Sequence, residues 1–195
     1  MSQEFQRQRR KLLLWEIGSF IFIGLFGAGL HFVFELSEFW SPIGWFGAVN
    51  ESTWEHLKLV FWPAVIFSLI EYTYVRDSVR NYLFAKAVST VVMMAIIVAT
   101  WYIYTPITGN INWFNIAIFY VAVFIGQIIS YRLLTAEAYP QSFAYSSLAV
   151  FVVLCIAFVV FTYFPPRFSL FEHYDLLDTN EYGILDDYED LRVFR

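Results

Sequence analysis

The residues best suited to chemistry lie in one ten-residue segment, residues 49–58, which reads Val-Asn-Glu-Ser-Thr-Trp-Glu-His-Leu-Lys. It combines two carboxylates, an imidazole, a hydroxyl and an ammonium. A strongly apolar stretch follows directly, over residues 59–70. Ionisable groups at a membrane boundary are costly to desolvate, so they usually have charged or hydrogen-bonding partners or a functional role. We therefore take this segment as the centre of a candidate functional site.

The three histidines of the chain extend this candidate site. His31 is expected near the end of the first span, His56 at the start of the second, and His173 shortly after the last, which places all three at one membrane level. His31 and Glu35 are four residues apart and would share a helix face. Imidazole nitrogens and carboxylate oxygens suit zinc or a similar divalent ion. The candidate polar site comprises His31, Glu35, Asn50, Glu51, Ser52, Glu55, His56, Lys58 and His173; the candidate metal ligands are His31, His56 and His173.

A purely structural interpretation of the same segment stays open. Residues 52–55, Ser-Thr-Trp-Glu, have the form of a helix capping box, with Asn50 as an alternative cap. Glu51 and Glu55 would suit the positive end of the helix dipole and could pair with Lys58. The sequence contains no dense ligand motif such as His-Glu-x-x-His, so spacing alone does not define a metal site.

The composition indicates a membrane protein. Of 195 residues, 59% are hydrophobic and only 15% are charged, whereas a soluble domain has roughly 25% charged residues. Lipid must therefore be the solvent for part of the chain. Neither a glycine-rich phosphate loop nor a basic, aromatic surface is apparent in the sequence, so nucleic acid is not an expected partner.

Five apolar stretches are long enough to cross a bilayer, which needs about 20 residues. They cover approximately residues 12–34, 57–75, 83–104, 112–131 and 143–164. The sequence thus predicts an all-α integral membrane bundle of about five transmembrane helices with an acidic extramembrane C-terminal tail. The predicted division is a transmembrane domain over residues 1–164 and a tail over residues 165–195, where Pro165-Pro166 ends the last helix.

The basic residues predict the orientation of this multi-pass protein in the cell membrane. They cluster in three segments that fall on one side of a five-span bundle, namely Arg7, Arg9, Arg10 and Lys11; Arg76, Arg80 and Lys86; and Arg132. Residues 172–195 hold eight acidic and two basic residues. We therefore expect a cytoplasmic N-terminus, an extracytoplasmic C-terminus, and an extracytoplasmic candidate site.

Two acidic residues lie within the predicted spans. Glu16 is expected to reach water or Lys11, and Glu71 to pair with Arg76 or Arg80. Spans three to five otherwise lack the buried ionisable residues that many coupled transporters use, which argues against a proton-driven pump.

The segment at residues 50–58 resembles the hallmark of a group of small, uncharacterised prokaryotic integral membrane proteins, a domain of unknown function. The resemblance continues through most of the chain, at His31-Phe32-x-x-Glu35, Phe61-Trp62-Pro63, Glu71-Tyr72, Pro165-Pro166, Leu170-Phe171 and Tyr182-Gly183-Ile184. It implies the fold and the membrane location but no activity. The chain departs from the group after residue 184, where an acidic extension continues.

A shorter likeness involves Ser52-x-x-x-His56, which is similar to the first zinc motif of the membrane hydrolases that include alkaline ceramidases and progestin/adiponectin-receptor-like proteins. Those proteins complete their site with an aspartate and a His-x-x-x-His pair in a late span. This sequence contains no His-x-x-x-His.

Three functions remain open from the sequence. The polar site could recognise a small ligand or a metal ion, in a binding, transport or sensing protein. A metal-dependent hydrolase acting on lipid is the first alternative, with Glu51 or Glu55 as a base on metal-bound water. A structural or accessory membrane subunit is the second. The sequence predicts the lipid bilayer as a partner but leaves the oligomeric state open.

Overall fold

The computed structural model describes residues 3–173 and 182–184. Its long elements are five helices, α1 (Gln3–Leu36), α2 (Thr53–Val75), α3 (Tyr82–Thr108), α4 (Asn112–Leu134) and α5 (Gln141–Tyr163). Two short 3₁₀ turns cover Ser41–Trp45 and Arg76–Ser78. All five long helices have the length and apolarity needed to cross a membrane. The predicted all-α membrane bundle is therefore confirmed.

Two helices begin earlier than the predicted spans, and the start of α2 affects the site. α1 begins at Gln3 because its polar first turns are rich in Glu, Gln and Arg, which favour helix. α2 begins at Thr53, so most of the polar segment belongs to the helix itself. Pro63 lies inside α2, and the helix continues past it.

The helices form a four-helix body with α5 at its side. α1 packs against α2 and α4, and α3 packs against the same two helices. α5 packs mainly on α3 and on the Ser41–Trp45 turn. We call the end of the bundle that carries residues 37–52 the His end, and the opposite end, which carries the start of α1, the N-terminal end.

A sharp turn after α1 folds the chain back over the His end. The amide of Phe39 donates to the Phe34 carbonyl at 3.0 Å and that of Glu38 donates to the Glu35 carbonyl at 2.9 Å. This pair of hydrogen bonds is the Schellman pattern of a helix C-terminus, with Glu38 in the left-handed region at φ 56°. Phe39 is buried against Phe34 and Val49, so the turn is held by apolar packing as well.

The described residues after α5 also pack on the His end. The amide of Trp54 donates to the Leu170 carbonyl at 2.9 Å. The side-chain amide of Asn50 donates to the Gly183 carbonyl at 2.7 Å. Phe171 is buried beside the Trp54 ring. The acidic parts of the predicted tail, residues 174–181 and 185–195, lie outside the described residues.

Candidate functional site

The structure brings two histidines and one carboxylate together at the His end. His31 comes from the last turns of α1, His56 from the first turn of α2, and Glu51 from the loop just before α2. Glu51 Oε2 lies 3.4 Å from His56 Nε2, and Glu51 Oε1 lies 3.9 Å from His31 Nε2. One potential ligand atom from each residue lies within 4.8 Å of the other two. We call this group the His–Glu cluster.

The orientation of the His56 ring is fixed by the backbone of its own helix. His56 Nδ1 lies 2.8 Å from the Ser52 carbonyl oxygen. A carbonyl oxygen only accepts hydrogen bonds, so Nδ1 carries a proton, and in the neutral ring Nε2 keeps its lone pair. A histidine held in this way presents Nε2 to a metal ion, as metal-ligating histidines do in general. Nε2 is also the atom that faces Glu51.

His173 supports Glu51 from the other side. The Glu51 amide donates to His173 Nδ1 at 3.0 Å. This bond occupies the Nδ1 lone pair and fixes the backbone from which the Glu51 side chain extends. The sequence named three histidines as metal ligands, whereas the atoms that converge in the structure belong to two histidines and Glu51.

The charge environment of Glu51 favours its ionised form. Burial opposes ionisation, but the hydrogen bond to His56 and the charges of His56, His31 and His173 outweigh it. They lower the pKa of the Glu51 carboxyl below its ordinary value. Glu51 is therefore ionised, as a cation requires of an acidic ligand, and a bound metal ion would take the place of the imidazole protons that face Glu51.

Ser52 and Asn50 shape the loop that carries Glu51. The Ser52 hydroxyl accepts from the Glu55 amide at 3.3 Å, so Ser52 is the N-cap of α2. Asn50 Oδ1 accepts from the Ser52 amide at 2.8 Å. In the predicted capping box, the Glu55 carboxylate would accept from the Ser52 amide. Asn50 accepts that hydrogen bond in its place, and the Glu55 carboxylate accepts from the Val49 amide at 3.0 Å.

Glu55 and Lys58 form a separate interior site, although the sequence grouped them with the histidines. Lys58 Nζ lies 2.6 Å from Glu55 Oε2 and donates to the carbonyl oxygens of Gly44 and Gly47 at 2.6 and 3.2 Å. Lys58 is 0% exposed. On α5, the Thr162 hydroxyl lies 3.2 Å from Glu55 Oε1. The pairing of Glu55 with Lys58 was an expectation from the sequence. The structure adds that this pair fastens the Ser41–Trp45 turn and α5 to α2.

Glu35 lies apart from both groups. The Glu35 side chain is exposed, and among the described residues the His31 ring contacts the carboxylate of Glu51. His31 and Glu35 were expected to share a helix face, but the contact of His31 is made between α1 and the loop before α2. Helix spacing predicted the face of His31 but not the partner that reaches it.

A cavity of about 400 Å³ adjoins the His–Glu cluster between α1, α2, α3 and α4. His31, Glu51 and His56 form one part of its wall. Three asparagines near the start of α4 line it as well; they are Asn110, Asn112 and Asn115. Further from the His end, the wall becomes apolar and aromatic, with Leu59, Ile97, Ile118, Phe119 and Tyr120. The cavity is therefore polar at the His end and apolar toward the middle of the bundle.

Sequence reasoning missed the asparagine side of this cavity. Asn115 Nδ2 donates to Asn110 Oδ1 at 2.7 Å, and the Tyr104 hydroxyl bonds to both asparagine side chains. The spacing of Asn112 and Asn115, three residues apart on one helix face, was the available signal. Thr53 also lines the cavity, and its buried hydroxyl has no hydrogen-bond partner among the described residues.

The two acidic residues within the spans have other partners than predicted. Glu16 and Glu71 both contact Lys86 of α3. Lys11 instead donates to the Tyr74 carbonyl at 2.6 Å, and Arg76 lies beside Asp77. The expectations that Glu16 reaches Lys11 or water and that Glu71 pairs with an arginine were therefore wrong. Buried Lys86 also corrects the view that span three lacks a buried ionisable residue.

Comparison with known proteins places the chain in a family without indicating an activity. No curated protein matches the chain. No solved structure matches it either. Because a family profile matches residues 1–184, the chain belongs to the Family of unknown function (DUF6512).

Proposed function

We propose that His31, Glu51 and His56 bind one divalent metal ion, for which zinc is the best match, and that the ion holds the polar group of a ligand in the adjoining cavity. The observation that carries this proposal is the convergence of three ligand atoms within 4.8 Å on the cavity wall. Two imidazole nitrogens and a carboxylate oxygen are the ligand set of several zinc sites that retain an open position.

The spacing of the ligand atoms fits such an ion. Metal–ligand bonds of 2.0–2.2 Å in a tetrahedral site place neighbouring ligand atoms about 3.3–3.5 Å apart. Glu51 Oε2 lies 3.4 Å from His56 Nε2, within this range, and His31 Nε2 lies 3.9 Å from the other carboxylate oxygen, Oε1. Taken with one atom per residue, the three ligand atoms lie within 4.8 Å of one another. Small side-chain rotations would complete the geometry. Three protein ligands leave a fourth position for water or for the ligand, on the side of the cavity.

The cavity supports a ligand with one polar and one apolar part. Its volume of about 400 Å³ is within the range of about 300–1,000 Å³ that is typical of small-molecule sites. Its polar groups gather at the His end, and they include the Thr53 hydroxyl, which has no hydrogen-bond partner among the described residues. The basic residues of the N-terminal end predict that this site faces the extracytoplasmic side.

Metal content measured on the purified protein tests the proposal. The wild-type chain and the Glu35→Gln control should each retain about one zinc ion per chain after dialysis. His56→Ala and Glu51→Gln should lose it, with size-exclusion chromatography showing that the variants remain folded. Equal zinc content in wild type and Glu51→Gln, or none in wild type after zinc loading, would contradict the proposal.

Metal-dependent hydrolysis of a lipid is the second candidate, favoured by the open metal position beside an apolar cavity. Of the two carboxylates considered as the base, Glu55 already pairs with Lys58 and accepts from the Val49 amide. Glu51 lies at the cluster, but there it is one of the proposed metal ligands, so its substitution would act on hydrolysis through loss of the ion. Zinc-loaded protein should then hydrolyse a long-chain fluorogenic ester or amide, and Glu51→Gln should lose this activity while Glu35→Gln keeps it. Equal turnover in both variants would reject this candidate.

A further inference from the structure

A second polar network lies inside the bundle, toward the N-terminal end. Lys86 Nζ lies 2.7 Å from Glu16 Oε1 and 2.6 Å from Glu71 Oε2. The Ser130 hydroxyl donates to Glu16 Oε1 at 2.8 Å, and the Tyr82 hydroxyl lies 3.1 Å from Glu71 Oε2. The Lys86 ammonium of α3 thus contacts one carboxylate from α1 and one from α2, and Ser130 of α4 donates a hydrogen bond to the first of these. We call these five residues the Glu–Lys network.

The network is distinct from the His–Glu cluster. Glu71 follows His56 by fifteen residues on α2, which corresponds to about 22 Å along a helix. Glu16 and Glu71 are 3% and 0% exposed, and Lys86 is 4% exposed. No residue of the network lines the cavity at the His end.

Apolar layers enclose the network on both sides. The layer toward the N-terminal end includes Leu12, Val75, Ala85 and Leu134. The layer toward the His end consists of Ile23, Val60, Ala64, Met93 and Val123. Glu16, Glu71, Lys86 and Ser130 each fall between the two layers in the sequence of their helix. The fifth network residue, Tyr82, belongs to the layer toward the N-terminal end. A small cleft at the N-terminal end is lined in part by Leu12 and Leu134, so one apolar layer separates the network from that cleft.

The charges of the network do not balance when Glu16, Glu71 and Lys86 are all ionised. Two carboxylates face one ammonium, and Tyr82 and Ser130, which also face them, are neutral. The result would be one excess negative charge in a medium of low dielectric constant, which is strongly unfavourable. Glu16 Oε2 and Glu71 Oε1 are buried and lack hydrogen-bond partners among the described residues. Two carboxylates that share one site in this way do not both remain ionised.

We propose that the Glu–Lys network binds one exchangeable proton, held jointly by Glu16 and Glu71. The resting state is then one carboxylate, one carboxylic acid and one ammonium, with no excess charge. Release of the proton leaves an uncompensated charge between two apolar layers, so rearrangement of the four helices accompanies it. The network gives this protein a buried proton site in addition to its proposed metal site.

Infrared spectroscopy of the full-length protein in detergent tests this proposal. A protonated carboxyl group has a C=O stretch that is well separated from carboxylate bands and shifts in heavy water. Wild type and the exposed control Glu35→Gln should show this band at neutral pH. Glu16→Gln and Glu71→Gln should each lose it, since the remaining carboxylate pairs with Lys86. A wild type without the band, or a band that persists in both variants, would overturn the proposal.

Thermal unfolding provides a second measurement that does not depend on band assignment. Each single glutamine variant keeps one carboxylate for Lys86 and should melt close to wild type. The double variant Glu16→Gln/Glu71→Gln leaves a buried ammonium without a counter-charge and should melt far lower. Single variants that lose as much stability as the double variant would show that both carboxylates are required in ionised form, which contradicts a shared proton.

Discussion

At the scale of single residues, the polar segment before and within α2 serves two purposes. Glu51 and His56 line the cavity, whereas Glu55 and Lys58 face the interior and hold the Ser41–Trp45 turn in place. A helix rotates by about 100° per residue, so neighbours such as Glu55 and His56 need not share a face. The functional and the structural interpretation of the segment therefore apply to different residues within it.

The Glu55–Lys58 pair predicts a strong and asymmetric effect of substitution. Lys58→Met should lower the free energy of unfolding by about 3–5 kcal/mol, because it leaves the buried Glu55 carboxylate without a counter-charge. The double variant Glu55→Gln/Lys58→Met removes that charge and should recover much of the loss. Denaturant or thermal unfolding in detergent measures both. A double variant as unstable as Lys58→Met would argue against the role of the ion pair.

The sequence predicted part of the site at this scale. The span count alone placed His31 and His56 at one level, and the two side chains do lie together, with ring centroids 5.2 Å apart. The sequence did not predict the partners of Lys86, because these contacts depend on how three helices pack, and Glu16 and Lys86 are 70 residues apart in the chain. The proximity of Glu51 to His31 likewise depends on how the loop folds back over α1.

At the scale of helices, apolarity predicted which segments cross the membrane but not how they are rotated. A span that is apolar on every face carries no signal for the face that meets its neighbours. The small residues carry some of this information. A Cβ atom added at Gly27 would lie 2.4 Å from the Leu59 carbonyl oxygen. Gly27 therefore marks where α1 and α2 approach closely beside the cavity.

Substitution of Gly27 tests this close approach. Gly27→Ala should destabilise the protein by about 1–3 kcal/mol, the usual range for overpacking. The added methyl group would clash with a backbone atom, which cannot move aside as a flexible side chain can. Gly29→Ala is the matched control on the same helix, since no atom lies within 4 Å of its added Cβ. Thermal unfolding should separate the two variants. Equal melting temperatures would mean that α1 and α2 are further apart than described.

At the scale of the whole molecule, the polar groups are arranged in two levels. The proposed metal site and its cavity lie at the His end, and the Glu–Lys network lies between apolar layers toward the N-terminal end. The basic residues predict which level faces the cytoplasm. Orientation in the membrane therefore determines which side has access to each proposed site.

Cysteine labelling in intact cells tests this orientation. Cys155 is the only native cysteine, so single cysteines can be introduced in a Cys155→Ala background. Glu38 and Asp77 are exposed residues at the His end and the N-terminal end, respectively. A membrane-impermeant maleimide should label Glu38→Cys and should label Asp77→Cys only after the cells are opened. Labelling of Asp77→Cys alone in intact cells would reverse the proposed orientation.

Zinc K-edge X-ray absorption of the purified, zinc-loaded protein would show whether His31, Glu51 and His56 hold a single metal ion. The proposed site should give nitrogen and oxygen neighbours at about 2.0–2.2 Å, with the outer-shell scattering of two imidazole rings. His31→Ala should reduce that outer-shell signal to one ring. A zinc spectrum without imidazole scattering, or one that His31→Ala and Glu51→Gln leave unchanged, would contradict the proposed site.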